Sequence, residues 1–263
     1  MFMIRTVSGA AKLIAMTVVS IMLIPLQLMI LTTKGSPGRL IIPRMWHRSI
    51  CYIFRLRKVI KGTPVRGRQT VYICNHISYF DIPVLGSVLG ASFVSKDDVA
   101  DWPVFGFLAK LNDTVFISRN IRATEKEKQK IKAALENGRS LILFPEATST
   151  NGTDVLPFKS GFFDAFANMD KGTDIVIQPV SIVLRELNGV IIDKNESTDL
   201  YAWYGDMELV PHLWNYACGG GAVIDLEFHP AFETGAFKNR KEMALACYEK
   251  VRTPFTSSLR KAV

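Results

Sequence analysis

The chain has 263 residues, with 32 Lys and Arg against 24 Asp and Glu, and its formal net charge is +8. The charge is uneven: twelve basic residues precede the first acidic residue, Asp81, and the remainder of the chain is net −4. This asymmetry indicates a basic segment that meets an anionic surface, either nucleic acid or anionic lipid. The 48% share of hydrophobic residues excludes a disordered tail protein. Four scattered cysteines without CxxC spacing argue against a disulfide scaffold and indicate reduced thiols in a cytosolic compartment.

An uncharged run at residues 13–33 decides between the two anionic partners. As a helix it would extend about 30 Å, the thickness of a bilayer hydrocarbon core. A basic nucleic-acid arm has no use for such a run, so we predict a membrane anchor and basic interfacial linker over residues 1–48. Pro25 and Gln27 leave open whether the run is one membrane-spanning helix or a kinked pair of half-embedded helices. A buried core helix is the remaining alternative.

The rest of the chain, residues 49–263, has the pattern of an α/β domain, in which short apolar runs alternate with segments of helical period. A basic helix near residues 46–56 should lead into it. Strands are predicted at 71–74, 92–95, 114–119, 140–146, 175–184 and 222–228. Helices are predicted at 81–90, 102–112, 124–138 and from near Lys238 to Pro254. We expect Pro179 to interrupt its strand.

His76 and Asp81 lie five residues apart where a predicted strand turns into a helix. A folded-back loop would let the carboxylate reach an imidazole nitrogen, and such a pair can deprotonate a hydroxyl near neutral pH. Spacing alone favours a simpler interpretation, in which Asp81 caps the helix and His76 is a loop histidine.

Two further strand ends carry polar residues. Arg119 follows one strand and could hold a phosphate or carboxylate, while Glu146, Ala147 and Thr148 follow another and could offer backbone N–H groups to an anion. Each signal is weak alone, because such residues are more often surface or loop side chains.

Taken together, these residues resemble a known family. The ordered blocks are NHISYFD (75–81), FISR (116–119), FPEAT (144–148) and VIQPV (176–180). They resemble the four blocks of the glycerolipid acyltransferases, the family that contains the lysophosphatidic acid acyltransferases. The resemblance implies an α/β acyltransferase domain with a central, mostly parallel sheet, behind a hydrophobic N-terminal helix or kinked helix pair.

The resemblance also implies residue roles. His76 would be the general base, Asp81 its orienting partner, and Arg119 with the turn 146–148 the acceptor-binding elements. The chain has no G-x-S-x-G motif and no cysteine in a catalytic context, which favours direct attack of the acceptor hydroxyl on the thioester. Backbone amides near the HxxxxD turn, or the side chain of Lys96, could stabilise the oxyanion. No metal cluster is expected, since His47, His212 and His229 stand far apart.

The third block departs from the pattern of lysophosphatidic acid acyltransferases, which is usually Glu-Gly-Thr-Arg. Here Ala147 replaces the glycine and Ser149 the arginine, which removes one phosphate clamp. The segment AWYGDM (202–207), with PHLW (211–214), is similar to bacterial lyso-ornithine lipid acyltransferases, whose third block is rich in serine or threonine. Both acceptors, 1-acylglycerol-3-phosphate and lyso-ornithine lipid, therefore stay open.

We thus predict an O-acyltransferase at the inner (cytoplasmic) membrane, with its catalytic domain on the cytoplasmic side. It would transfer an acyl chain from acyl-CoA or acyl-carrier protein, as co-substrate, to a lysolipid, and it would need no cofactor. A non-catalytic lipid-binding scaffold with the same fold is the alternative. A nucleic-acid partner is disfavoured because the soluble part is net acidic.

Overall fold

The computed structural model describes residues 2–32, 38–118, 125–167, 174–193 and 196–260. Two features of the sequence lie outside these residues: Arg119 and most of the Gly- and Pro-containing stretch that begins the predicted linker.

A nine-stranded sheet forms the centre of the described chain. Its strands are β1 (Leu56–Gly62), β2 (Gln69–Cys74), β3 (Ser92–Lys96), β4 (Val115–Ile117), β5 (Leu141–Leu143), β6 (Ile175–Leu187), β7 (Val190–Ile191), β8 (Ala222–Phe228) and β9 (Phe232–Glu233). The main order is β1-β8-β6-β2-β5-β3-β4, with β7 and β9 also paired to β6. Strands β6, β2, β5, β3 and β4 are mutually parallel, and β6 meets β8 antiparallel. The expected α/β fold with a mostly parallel sheet is confirmed.

Helices cover both faces of the sheet. They are α1 (Phe2–Leu31), α2 (Ile41–Ile53), α3 (Asp81–Gly86), α4 (Phe105–Leu111), α5 (Glu125–Glu136), α6 (Asp164–Ala167), α7 (Leu209–Cys218) and α8 (Arg240–Arg260). The side chains of β2 alternate between two cores: Tyr72 and Cys74 pack with α2, α3 and α7, whereas Val71 and Ile73 pack with α5, α6 and α8. This period of two is what a strand buried on both faces requires.

Helix α1 begins earlier than the apolar run and continues through Pro25. Residues Arg5–Leu31 are long and apolar enough to cross a membrane, a property that core helices and signal sequences share. Side chains on one face, such as Ile14 and Ile21, are largely exposed, and the opposite face packs on α2 and α7. Helix α1 is thus a candidate membrane helix that also contacts the α/β domain.

Several boundaries differ from the sequence predictions. Helix α2 occupies 41–53 rather than 46–56, because Pro43 lies in the first helical turn, where its missing N–H costs no bond. Strand β1 and helix α7 are not predicted from the sequence. Basic residues obscure the apolar pattern of β1, and Pro211 together with the aromatic residues obscures the helical pattern of α7. The domain boundary at residue 48 falls within α2 and stays a prediction.

The predicted interruption at Pro179 is wrong, because β6 runs unbroken over 13 residues. Pro179 accepts a hydrogen bond from the amide of His229 on the side facing β8 and β9. On that side β9 pairs with β6 as far as Ile177, and the pairing of β8 with β6 begins at Val180. The missing N–H therefore falls between two ladders and costs no ladder bond.

Asn75 fixes the loop that leaves β2. Its side-chain amide donates to the carbonyl of Ile182 (2.9 Å), and its Oδ1 accepts from the amide of Ile182 (2.7 Å). Both bonds are buried, and they continue the pairing of β2 with β6 by one residue beyond Cys74. The residue after Asn75 is His76, so the position of the site depends on this link.

We expect Asn75→Ala to lower the free energy of unfolding by about 2–4 kcal/mol, because two buried backbone groups of Ile182 lose their partners. Urea unfolding in detergent measures the change. Asn137→Ala is the matched control: its exposed side chain bonds only the carbonyl of Ala133 in the helix just before it, so the effect should stay within about 0.5 kcal/mol. Equal effects of the two substitutions would contradict the assigned role.

Candidate active site

The polar strand ends lie along one edge of the sheet. Because β2, β5, β3 and β4 are parallel and adjacent in that part of the sheet, their carboxyl ends meet there. His76 follows β2, Glu146 follows β5 and Lys96 ends β3. The topology thus brings together residues that are far apart in the chain.

His76 and Asp81 are in contact. The Nδ1 of His76 lies 2.8 Å from Oδ2 of Asp81, whose side chain has no exposed surface, while the His76 side chain is 20% exposed. An ionised carboxylate only accepts hydrogen bonds, so Nδ1 carries the hydrogen and Nε2 keeps its lone pair. In the neutral imidazole this arrangement leaves Nε2 as the basic nitrogen.

Asp81 binds the loop rather than the end of its helix. Its Oδ2 also accepts from the amides of Ile77 (2.7 Å) and Ser78 (3.0 Å), and its Oδ1 accepts from the Tyr201 hydroxyl (3.3 Å). Phe80, not Asp81, precedes the first helical residue. The simple capping interpretation does not describe this carboxylate, which holds the loop and His76 in one geometry.

This bonding changes the expectation for the oxyanion. The amides of Ile77 and Ser78 donate to Asp81, and the amide of His76 donates to Glu146. These three donors of the HxxxxD turn are therefore already used within the protein. Among the described residues the amides of Tyr79, in the same turn, and of Thr148 have no acceptor, which leaves both as donors that a ligand could meet.

A ring contact and a backbone hydrogen bond fix the position of His76 further. The ring of Phe144, which follows β5, stacks on the imidazole with centroids 4.2 Å apart. The amide of Thr150 donates to the His76 carbonyl (3.0 Å). The segment after β5 therefore holds both the ring and the backbone of His76.

Glu146 is buried beside this loop and joins two segments. Its Oε1 accepts from the amide of His76 (2.7 Å) and its Oε2 from the amide of Leu156 (2.8 Å). Burial raises the pKa of Glu146 to about 7, against the effect of these two amides, which favour the ionised form. The observed bonds give Glu146 a positioning contact with His76.

Ala147 adopts the left-handed backbone conformation that favours glycine, with φ of 61°. The turn thus has a glycine-like shape although alanine occupies it, at a cost of about 1 kcal/mol. Thr148 follows with an exposed side chain.

Lys96 lies two strands from β2, at a strand spacing of about 4.8 Å. Its side chain is partly exposed, and its neighbour Ser95 lines the same cavity as His76. The placement of Arg119 is not described.

An apolar cavity of about 270 Å³ extends from His76. Its walls come from α1, α2, α3, α4 and α7 as well as β3, and they include Leu23, Ile50, Phe93, Leu108 and Leu213. The sequence patterns did not reveal this cavity, because six separate elements contribute to it.

Comparison with known proteins places the chain in a family. The Acyltransferase family model matches residues 56–183. The lyso-ornithine lipid O-acyltransferase of Rhizobium meliloti (strain 1021) is 34% identical over 98% of this chain and 89% of its own length. The enzyme of the same name from Brucella abortus (strain 2308) is also 34% identical, over 98% and 97%. The chain belongs to the acyltransferase family.

Two more distant acyltransferases are similar to the chain. The 1-acyl-sn-glycerol-3-phosphate acyltransferase of Neisseria gonorrhoeae is 26% identical over 74% of this chain and 72% of its own length. The crystal structure of the 1-acyl-sn-glycerophosphate (LPA) acyltransferase PlsC from Thermotoga maritima matches with a TM-score of 0.70. That match covers 98% of this chain and 97% of the other at 19% identity, and it supports the fold.

Sequence reasoning missed two residues that shape this acyltransferase site. Tyr201 bonds Asp81 and is fully buried. Phe144 is the first residue of the FPEAT block, and its ring stacks on the His76 ring. Tyr201 immediately precedes the AWYGDM segment, and this aromatic stretch was the available signal. The amide of Trp203 donates to the carbonyl of Ile77 (3.0 Å), which ties that stretch to the site.

Glu146 makes stability depend on pH. Its pKa is about 7 in the folded chain against an ordinary value of 4.5, so the folded state holds the proton more tightly between these pH values. Stability relative to Glu146→Gln, which cannot titrate, should therefore fall as pH rises from about 4.5 to about 7. Urea unfolding of both proteins at a series of pH values tests this, and parallel profiles would contradict it. At every pH, Glu146→Gln should also lower the free energy of unfolding by about 1–3 kcal/mol, because one buried amide loses its acceptor.

Proposed function

We propose that this acyltransferase esterifies the free hydroxyl of a lysolipid in membrane lipid biosynthesis, with His76 as general base. The observation that carries the proposal is the His76–Asp81 pair at one end of an apolar cavity. A general base beside an apolar cavity suits a reaction between a hydroxyl and the thioester of a long acyl chain.

In this mechanism Nε2 of His76 removes the proton of the acceptor hydroxyl. The oxygen attacks the thioester carbonyl, the C–S bond breaks, and the leaving thiolate takes a proton from the imidazolium. Asp81, held by two amides and Tyr201, stabilises that imidazolium and keeps the ring in its reactive tautomer. The thioester belongs to acyl-CoA or acyl-carrier protein.

The amide of Thr148 lies two residues after Glu146, whose carboxylate bonds the amide of His76. We infer that this amide meets an anion bound near His76. We assign acceptor binding to this turn and to Arg119, and an oxyanion contact to Lys96. The assignments of the turn and of Lys96 rest on the sheet edge that β5 and β3 share and on the family pattern, and the assignment of Arg119 rests on the family pattern alone.

The acceptor that best fits the chain is a lyso-ornithine lipid. Ser149 stands where lysophosphatidic acid acyltransferases usually have an arginine, so one phosphate clamp is missing. The relatives that carry the name lyso-ornithine lipid O-acyltransferase include two at 34% identity over 98% of the chain, against 26% over 74% for the 1-acyl-sn-glycerol-3-phosphate acyltransferase of Neisseria gonorrhoeae. A lysophosphatidate acceptor is the rival within the same reaction class.

The enzyme would act at the cytoplasmic face of the inner membrane, with α1 lying in one leaflet. Lys12 donates to the carbonyl of Gly220 (3.2 Å), and Gln27 donates to the carbonyls of Arg39 and Leu111 (3.0 and 2.8 Å). These residues are about 22 Å apart along the helix, so α1 is bonded to the rest of the chain at two well-separated points. A helix that crossed the bilayer would carry one end away from the domain, which supports the embedded arrangement. Residues 1–48 then form the membrane-binding segment and 49–263 the acyltransferase domain.

The test supplies purified protein in detergent with a labelled acyl thioester, as CoA or carrier-protein derivative, and a panel of lysolipids. We expect diacylated product to form fastest with lyso-ornithine lipid. His76→Ala should lower the rate at least about a thousandfold, because the base is lost, while the protein stays folded, since Asp81 keeps its bonds to two amides and Tyr201. Substantial turnover by His76→Ala would overturn the general-base assignment. Absence of product from every donor and acceptor would favour the non-catalytic scaffold.

The orientation of α1 is tested with a membrane-impermeant thiol reagent. In a Cys218→Ser background, whose other cysteines are buried, Arg5→Cys and Thr32→Cys each place one accessible thiol at an end of α1. Both should be labelled in inside-out inner-membrane vesicles and neither in right-side-out vesicles. Labelling of one end in each type of vesicle would show that the helix spans the bilayer.

A further inference from the structure

Three aromatic rings lie in the cavity wall close to His76. Tyr79, Trp102 and Trp203 all line the cavity. The ring of Trp203 lies 5.9 Å from that of Tyr79 and 6.1 Å from that of Trp102, measured between centroids, and both pairs meet edge to face. We call these three residues the ring cluster. The proposed mechanism gives them no role.

Two links hold the ring cluster beside the proposed base. Tyr79 belongs to the same loop as His76, three residues later, so their Cα atoms are at most about 11 Å apart. The amide of Trp203 donates to the carbonyl of Ile77, the residue after His76 (3.0 Å). A molecule whose hydroxyl meets His76 therefore has the ring cluster within reach of its neighbouring groups.

The polar groups of two of these rings are bonded within the protein. The Tyr79 hydroxyl lies 2.8 Å from Nδ1 of His212, whose Nε2 lies 2.9 and 3.0 Å from two backbone carbonyls. Carbonyls only accept, so in the neutral ring of His212 the hydrogen is on Nε2, and Nδ1 accepts the Tyr79 hydrogen. The indole N–H of Trp203 donates to the carbonyl of Met207 (2.8 Å). The π surface of the rings and the lone pairs of the Tyr79 oxygen remain for a ligand, and both attract cations.

The chain around the two tryptophans is acidic. Three exposed carboxylates lie beside them in the sequence: Asp101, Asp206 and Glu208. The first directly precedes Trp102, and the other two flank the residue whose carbonyl binds the other indole. No Lys or Arg occurs in residues 195–219, or in residues 97–109 between Lys96 and Lys110. The local charge therefore favours a cation over an anion at the ring cluster.

The ring cluster lies at the open side of the cavity. Trp102 lines the cavity and is 37% exposed, whereas other wall residues such as Ile50 and Phe93 are buried, at 3% and 2% exposure. Full dehydration of a charged group costs much free energy, and at a partly exposed place the group keeps some of its water. The position therefore suits a charged head group, and the buried walls suit an acyl chain.

We propose that the ring cluster binds the ammonium group of the acceptor's head group through cation–π contacts, and so selects a lysolipid with a cationic head group. The inference rests on the proposed function, in which a lysolipid hydroxyl meets His76, and it names the residues that recognise the acceptor. The ornithine side chain ends in a primary ammonium, which aromatic faces and nearby carboxylates attract. A phosphate head group would meet the negative π surface of the rings and the same carboxylates.

The test compares three acceptors that differ only at the terminal nitrogen of ornithine: lyso-ornithine lipid, its N-acetyl derivative and its N-trimethyl derivative. The ratio of their kcat/KM values is measured with one acyl thioester donor. The parent enzyme should prefer the ammonium over the neutral acetamide about tenfold, the effect of one partly desolvated cation–π contact. The trimethylammonium acceptor should be used nearly as well as the ammonium, because a cation–π contact needs the charge and no N–H.

Trp102→Leu should lower the preference for the ammonium over the acetamide to about twofold, and Trp102→Phe should keep most of it, because a ring remains. Trp102 is changed rather than Trp203, whose bonds to Ile77 and Met207 hold the loop beside His76. Trp214→Leu is the matched control. Trp214 is also 37% exposed, but it is not among the residues that line the cavity, so the preference should stay at the parent value.

A parent enzyme that uses the ammonium and acetamide acceptors equally would overturn the inference, as would a preference that Trp102→Leu retains. Loss of the trimethylammonium acceptor would assign the selection to hydrogen bonds with carboxylates, and would also overturn it. If no acceptor were acylated, the proposed function would fail separately. Thermal stabilisation of the parent and Trp102→Leu proteins by the three lysolipids, without donor, would then decide the inference, and equal shifts for ammonium and acetamide would contradict it.

Discussion

The buried carboxylate of Asp81 is the group on which the geometry of the site depends. A charge without exposed surface is costly unless hydrogen bonds replace its hydration, and here two loop amides, a tyrosine hydroxyl and the His76 ring do so. The same bonds that compensate the charge dictate the path of residues 76–78 and the tautomer of the imidazole. The charge and the loop therefore stabilise each other at the place where His76 lines the cavity.

A second buried carboxylate, that of Glu146, also connects segments at the strand ends by accepting hydrogen bonds from backbone amides. Glu146 joins the amide of His76 to that of Leu156, and Asn75 joins β2 to β6 through the backbone of Ile182. Each link uses a side chain to complete backbone hydrogen bonding where the ladder ends. The loop that carries His76 is consequently attached to both neighbouring strands, β5 and β6, which accounts for its fixed position at the end of β2.

Helix α1 combines two roles that usually belong to different elements. Its outer face is apolar and exposed, as a membrane-binding surface requires, and its inner face supplies walls of the cavity that begins at His76. Lys12 and Gln27 attach that inner face to the domain. In the proposed function, the lipid phase and the catalytic base are therefore separated by a single helix.

The sequence by itself determined the apolar N-terminal run, most strands and helices, the acyltransferase family and the residues of the four blocks. Local period and block order carry this information, because they depend on residues close together in the chain. Only the tertiary structure decided that Asp81 bonds the loop instead of capping its helix, that Pro179 lies harmlessly between two ladders, and that Tyr201 completes the charge network. It also decided the cavity, which five helices and a strand enclose. Such features arise from contacts between residues far apart in sequence, and no spacing along the chain specifies them.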